Sequence, residues 1–238
     1  MKALILNSGM GKRMGVLTTE HPKCMTEIAK GETILSRQLR LLQKYGIKEV
    51  VITTGLFDRA LKEYCRSLNL SLRIVFVKNP LYDQTNYIYS IYLARQYLNS
   101  NLLLMHGDLV FADEVLQKLI KQPDSCMTVS STLSLPAKDF KAVLSQNRII
   151  KIGIGFFKDA VAAQPLYKLK YSDWKVWLER IIEFCQQNRV NCYAENAFNE
   201  VSSRCQLYSF DVKDQLCSEI DTPEDLAVVK ERLAYLDR

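Results

Sequence analysis

LILNSGMGKRMGVLTTEHPKCM, residues Leu4 to Met25, is the stretch on which the reading of this chain turns. An apolar strand, Lys2–Leu6, runs straight into Gly9, Gly11, Lys12 and Arg13, and Lys23 follows directly behind Pro22. A strand that feeds a glycine-rich, cation-bearing turn is how a parallel sheet offers backbone N–H groups to phosphate. Glycine permits positive φ and lets the backbone approach a ligand closely. Lys and Arg add the positive charge that a polyphosphate needs. The loop is not the dinucleotide fingerprint GxGxxG, because residue 14 is Met, and it is not a Walker A loop, because Gly11–Lys12 is followed by neither Ser nor Thr. A nucleoside triphosphate is the ligand to which these residues point.

Outward from this loop, apolar runs alternate with helical periodicity. Thr33–Tyr45 carries Ile34, Leu35, Leu39 and Leu42 at helical spacing and stops at Gly46, a C-cap signal. Glu49–Thr54 reads as a strand, Phe57–Leu68 as a helix, Leu72–Val77 as a strand, Thr85–Leu98 as a tyrosine-rich helix, Leu102–Met105 as a strand and Asp113–Ile120 as a helix. Such alternation is the βαβ signature of a doubly wound sheet. The expected fold is therefore α/β, a Rossmann-like, mostly parallel sheet with helices on both faces. After Met127–Thr132 the pattern changes. Lys141–Ser145 and Ile149–Ile152 flank a hairpin turn, Trp174–Gln187 is a helix, and the sheet resumes near Leu207–Phe210. Residues 1–238 are read as a single domain, with a small lid at about 132–205 inserted over the carboxyl edge of the sheet. Thr222 caps the last helix, Pro223 takes its first position, and Asp225 completes the box.

Composition narrows the function classes. The 238 residues are 48% hydrophobic and 24% charged, the balance of a globular protein. No stretch approaches the roughly 20 apolar residues of a membrane span, and MKALILNSG lacks the apolar core of a signal peptide, so a cytoplasmic location without membrane association is expected. Seven scattered cysteines without a CxxC, and only two histidines, argue against disulfides and a zinc centre. The net charge of +6 is spread without a dense basic cluster. Nucleic-acid binding is one reading of that surplus, and a small anionic substrate explains it equally well.

The stretch 4–25 resembles the signature of the nucleotidyltransferases that activate sugar phosphates and phosphocholine, LAAGxGxRMxPLTxxxPKxL. Gly9, Gly11, Arg13, Met14, Leu17, Thr18, Pro22 and Lys23 fall in register, whereas Asn7–Ser8, Val16 and Cys24–Met25 depart from it. The segment Asn79–Ser90, NPLYDQTNYIYS, is similar to its counterpart in the bacterial phosphocholine and phosphonate cytidylyltransferases, and EIDTPEDL at 219–226 matches their EIDxxxDL ending. The resemblance implies that the first loop wraps a triphosphate, with Arg13 and Lys23 on phosphate oxygens. It adds Leu6, Asn7, Ser8, Gly9, Met10, Gly11, Lys12, Asn79, Thr85, Asn86, Ser90 and Gly107 to the nucleotide site.

Two carboxylates stand out. Asp108, in His106–Gly107–Asp108, follows the strand LLLM, at the carboxyl end where parallel sheets bind ligands. Its plain alternative is a cap on the next turn. By resemblance Asp108 holds Mg²⁺ and Asp221 is the second metal carboxylate, although Asp221 could equally serve as an N-cap neighbour of Thr222. One or two carboxylates together with substrate phosphates make a usual Mg²⁺ site. His106 is read as a satisfied core histidine. Asn86 and Ser90, four apart, share a helix face. Glu195, Asn196, Asn199 and Glu200 form a polar, acidic cluster that could hold a cationic headgroup, with Trp174 or a nearby tyrosine adding a cation–π contact, or could simply be solvated. Tyr82, Trp174, Glu195 and Asn199 are the acceptor-binding candidates.

The implied activity is Mg²⁺-dependent transfer of CMP from CTP to the phosphate or phosphonate of a small, amine-bearing acceptor, with release of pyrophosphate. Lys23, Arg13 and Asp108 are the catalytic candidates. The alternatives are a uridylyl- or thymidylyltransferase acting on sugar 1-phosphates, and a non-catalytic RNA-binding or regulatory protein on the same fold. A homodimer could form through the insertion or the tyrosine-rich helix.

Overall fold

The computed structural model describes residues 1–135 and 137–236, without the side chains of Lys12, Val16 and Leu17. In chain order the elements are β1 (Lys2–Asn7), β2 (Glu27–Ala29), β3 (Glu32–Thr33), α1 (Ile34–Lys44), β4 (Glu49–Thr54), α2 (Asp58–Ser67), β5 (Arg73–Lys78), α3 (Tyr87–Ala94), β6 (Leu102–His106), β7 (Leu109–Phe111) and α4 (Asp113–Ile120). They continue with β8 (Cys126–Ser130), β9 (Lys141–Ser145), β10 (Arg148–Gly153), β11 (Ala160–Leu169), α5 (Tyr171–Gln186), α6 (Ala194–Val201), β12 (Tyr208–Asp211), β13 (Cys217–Glu219) and α7 (Pro223–Leu236).

Nine strands form one sheet in the order β5-β4-β1-β6-β11-β8-β12-β10-β9. The β5-β4-β1-β6 block is parallel throughout. Among the described strands of this sheet, only β10 and β11 run against the common direction. This is the Rossmann-like α/β fold, and β1 lies inside the sheet between β4 and β6, where ALIL is apolar toward both faces. Ala3 and Ile5 join one core with Leu35, Leu39, Val115 and Val229, from α1, α4 and α7. Leu4 joins a second core with Ile88, Ile91, Trp177 and Phe198, from α3, α5 and α6. A strand buried on both faces carries a continuous apolar run, and helices then cover both sides.

Local signals set the boundaries. The Thr33 hydroxyl accepts the Ser36 N–H and Ser36 accepts the Thr33 N–H, a capping box worth about 1 kcal/mol to α1. At α7, Asp225 accepts the Thr222 N–H at 2.8 Å while Thr222 Oγ1 accepts the Asp225 N–H at 3.2 Å. The tyrosine-rich helix is shorter than its pattern suggests. It begins at Tyr87 because Asn86 caps it, accepting the Tyr87 N–H at 2.7 Å, and the last turn tightens to a 3₁₀ helix at Arg95–Tyr97.

The segment 132–205 is not an appendage outside the sheet. Its β11 lies between β6 and β8, pairs antiparallel with both, and also meets β9 at its start. The register shifts between Ala163 and Tyr167, which accommodates Pro165 in a bulge within an otherwise central strand.

One small ladder matters more for the site than its size suggests. β7 and β13 pair antiparallel, Glu219 opposite Leu109, and the Ile220 N–H donates to the Asp108 carbonyl at 3.0 Å. This pairing brings Asp221 beside Asp108 from the far end of the chain.

Candidate active site

The glycine loop leaves β1 at its carboxyl end. Gly11 adopts φ +62°, and a Cβ there would press on the Lys23 side chain at 3.3 Å, so glycine lets the loop fold against the residue that follows Pro22. Thr18 Oγ1 donates to the Gly11 carbonyl at 3.0 Å and fixes the return of the chain. Gly107 has a different reason. Its N–H donates to the Leu6 carbonyl at 3.0 Å, and a Cβ would lie 1.6 Å from Asn7 Oδ1, so no side chain fits between β1 and β6 at this point.

Asp108, Asp221, Lys23 and Arg13 converge here. The Lys23 ammonium donates to Asp108 Oδ2 at 2.7 Å and to Asp221 Oδ1 at 2.6 Å, and Arg13 Nη2 lies 2.8 Å from Asp221 Oδ2. Lys23, Asp108 and Asp221 are largely buried, whereas Arg13 is exposed. Burial opposes the charge on Lys23, but attraction to Asp108 and Asp221 outweighs it and raises the pKa. Burial likewise works against ionised Asp108, and Lys23, then His106, more than compensate, so the carboxyl sits below its ordinary range. Two polar atoms in this corner are buried without a partner, Asp108 Oδ1 and Asn7 Nδ2. An unmatched acceptor and an unmatched donor beside a glycine loop suit a cation and an anion respectively.

Two cavities flank this corner. One, of about 330 Å³, is lined by Asn7, Met10, Gly11, Arg13, Lys23 and Asp221. The other, of about 510 Å³, is lined by Ser8, Tyr82, Thr85, Asn86, Tyr87 and His106. Both reach Leu6, Gly9 and Asp108. The Lys12 side chain lies outside the described atoms.

Behind the larger cavity, the residues expected on its surface divide. Ser8, Tyr82, Thr85 and Asn86 line it. Asn79 and Ser90 do not, since both are buried and brace the wall from within. Ser90 Oγ lies 2.7 Å from Ser8 Oγ, and Asn79 Nδ2 donates to Ser90 Oγ and to Thr85 Oγ1, each at 3.0 Å.

The acceptor candidates divide more sharply. Trp174 is fully buried, with Nε1 donating to the Leu98 carbonyl at 3.1 Å and its ring edge-on to Trp177, so it anchors α5 and does not reach a ligand. Asn199 pins α6 to β10, accepting the Ile152 N–H and donating to the Ile152 carbonyl, both at 2.8 Å. Asn196 caps α6 by accepting the Tyr193 N–H, and Glu200 is paired with Arg180 and Arg189. The proposed acidic cluster thus dissolves into structural roles, with one exception. Glu195 is buried, accepting the Tyr167 hydroxyl at 2.8 Å and the Tyr87 hydroxyl.

Tyr87 links that carboxylate to the cavity. Its ring stands edge-on to His106 at 5.0 Å and near Tyr193 at 5.8 Å, and Tyr193 meets Phe140 at 4.9 Å. His106 pairs with Glu219 through Nδ1 at 2.7 Å. Burial lowers the His106 pKa, but the Glu219 hydrogen bond and charge outweigh it and bring it to about 9. Glu219 itself is pushed up by burial and by Asp108. His106 is therefore not a plain core residue, because it faces the cleft. Glu219 carried a detectable signal, since it lies two residues before Asp221 and period-two alternation puts both on one side of an extended segment. Tyr87 and Asn191, which also lines the larger cavity, carry by contrast no sequence mark that separates them from packing residues.

Comparison with known proteins agrees with this architecture. Residues 3–136 match the model of the MobA-like NTP transferase domain. The chain is 26% identical to a CTP:phosphoglutamine cytidylyltransferase of Campylobacter jejuni, over 98% of this chain and 100% of that one. It is 33% identical over 131 residues to a CMP-5'-(3-aminopropyl)phosphonate synthase of Streptomyces rubellomurinus, which covers 55% of this chain but only 21% of that protein. The solved CTP:phosphocholine cytidylyltransferase of Streptococcus pneumoniae superposes with a TM-score of 0.78 over 98% of both chains at 19% identity, a likeness of fold. With a glycine loop, a Lys-bridged pair of aspartates and a family match that spans both Lys23 and Asp108, the chain belongs to the MobA-like NTP transferase family and is a nucleotidyltransferase.

Proposed function

We propose that this protein transfers CMP from CTP to the phosphate or phosphonate of a small, amine-bearing acceptor and releases pyrophosphate. The observation that carries the proposal is the meeting of Asp108 and Asp221 on the Lys23 ammonium at the mouth of the glycine loop. Relatives named for phosphoglutamine, phosphocholine and 2-aminoethylphosphonate support the cytidylyl group and the acceptor class, since each of those acceptors carries a nitrogen. Tyr82 and Tyr87 on the cavity wall, with the Glu195 carboxylate on the Tyr87 hydroxyl and Glu219 on His106, support a cationic end on the acceptor.

In the reaction an ionised acceptor oxygen bonds to the α-phosphorus of CTP in line, and the bond from that phosphorus to the β-bridging oxygen breaks. The electron pair leaves with pyrophosphate. The attacking oxygen is anionic at neutral pH, so no side chain has to remove a proton. The tasks left to the protein are positioning and charge neutralisation. The backbone N–H groups of residues 8–13 face the β- and γ-phosphates, with Arg13 beside them. Lys23 neutralises charge near the α-phosphate, and Ser8, Tyr82, Thr85 and Asn86 form the wall for base and ribose.

Asp108 and Asp221 offer hard oxygen donors, and the buried, unpartnered Asp108 Oδ1 fits a divalent cation such as Mg²⁺. When bound, the ion supplies positive charge to the triphosphate. The test is pyrophosphate release from purified protein, measured across the four common nucleoside triphosphates and a panel of phosphorylated and phosphono acceptors, with and without Mg²⁺. CTP with an aminoalkyl phosphate or phosphonate is expected to give the highest kcat/KM. Preference for UTP or dTTP with a sugar 1-phosphate would replace this reading, and RNA binding without pyrophosphate release would end it.

A further inference from the structure

The same four oxygens of Asp108 and Asp221 are offered to two different cations. Lys23 holds Asp108 Oδ2 and Asp221 Oδ1, and Arg13 holds Asp221 Oδ2, which leaves Asp108 Oδ1 alone without a partner. Without a nucleotide, that one free oxygen holds Mg²⁺ only weakly, because the ion sheds water reluctantly and is usually held by one or two carboxylates together with substrate phosphates. An ammonium at 2.6 and 2.7 Å from these oxygens and a divalent ion on the same two carboxylates repel each other, so each weakens the other's hold. We propose that Lys23 and the divalent cation compete for Asp108 and Asp221, and that an arriving triphosphate releases these carboxylates by drawing Lys23 onto its own oxygens.

This inference rests on the reading of Asp108 and Asp221 as the metal carboxylates. It gives Lys23 a second task as a positioning residue, holding two mutually repelling carboxylates together until the nucleotide takes the lysine away. The side chain is suited to the exchange, since a point charge on a flexible four-carbon stem can change partners without moving the backbone. The backbone that carries it is fixed, because the Thr26 N–H donates to the Lys23 carbonyl at 2.9 Å and Cys24 is packed in the core. Arg13 is exposed and its pair with Asp221 is correspondingly weak, so Lys23 is the main competitor.

Mn²⁺ binding, followed by electron paramagnetic resonance on the full-length protein without nucleotide, tests the competition. Lys23→Met is expected to bind Mn²⁺ at least about tenfold more tightly than wild type, because a unit positive charge has left the site. Lys23→Arg, which keeps the charge, is expected to stay near wild type. Equal or weaker Mn²⁺ binding by folded Lys23→Met would overturn the competition. Wild-type protein supplies a second arm. In lysine labelled with ¹³C and ¹⁵N, the Lys23 Cε–Nζ correlation is expected to shift on saturation with Mg²⁺ alone, and a correlation that stays put also overturns the proposal. Failure of wild type to take up Mn²⁺ in the presence of a non-hydrolysable CTP analogue would mark the metal reading itself as wrong. Uptake there, with no gain in Lys23→Met, would remove only the competition.

Discussion

The two ends of the cleft are built on different principles. At the phosphate end, charges face each other across short distances, with Lys23 and Arg13 on Asp108 and Asp221, and the partners come from loops that glycine allows to approach. At the other end the charge lies further back. Glu195 is buried behind the Tyr87 and Tyr167 hydroxyls, Glu219 is held by His106, and the surface that meets a ligand mixes polar side chains with the rings of Tyr82, Tyr87 and His106. The first arrangement suits a ligand common to many reactions, a triphosphate. On the proposed function, the second would serve choice among acceptors, because an aromatic ring backed by a carboxylate favours a cation.

Substitutions can break this contrast. At the phosphate end, Asp108→Asn is expected to lower kcat by about 10³-fold with the fold intact, checked by pyrophosphate release and circular dichroism. At the other end, Glu195→Gln is expected to raise KM for an amine-bearing acceptor by about tenfold and leave KM for CTP unchanged. If both constants moved together, the two ends would not be separable.

A third change sharpens the contrast through pH. The folded pKa of His106, about 9, lies above its ordinary 6.5, so its contribution to stability is complete below about 6.5 and is lost as the pH rises through about 9. The displacement corresponds to at most about 3 kcal/mol, partly offset because Glu219 is itself held above its usual range. His106→Gln is expected to flatten the dependence of stability on pH between these limits, as measured by urea unfolding. The smallest effect is expected outside the cleft. Asn199→Ala should cost about 1–2 kcal/mol through the two lost bonds to Ile152 and leave the kinetic constants as they are.

The contrast also explains what the sequence discloses. The glycine-loop end is legible because its requirements are local, with Gly9, Gly11, Arg13 and Lys23 lying within one stretch and each of a residue type suited to phosphate. Helix ends are legible for the same reason, as Thr33, Gly46 and Pro223 act within a turn of their own positions. The acceptor end depends on partners distant in the chain. Glu195 gains its meaning from Tyr87, 108 residues away, and nothing in the sequence near Glu195 distinguishes it from Asn199 or Glu200. Trp174 looks like a ligand-stacking residue by type, but the helix turns it into the core, where its N–H finds Leu98. The strand β11 escapes notice because AVAAQPLYKL has small residues, a proline and burial on both sides in place of alternation. That one strand is why the stretch 132–205 reads as an insertion although part of it completes the middle of the sheet.

The central claim is that Asp108 and Asp221 act as one site. A double-mutant cycle on kcat for pyrophosphate release tests it most directly, comparing Asp108→Asn, Asp221→Asn and the double variant. If the two carboxylates share a single task, the double variant should be scarcely slower than the slower single one. Losses that multiply across the cycle, or a single variant with wild-type turnover, would contradict it.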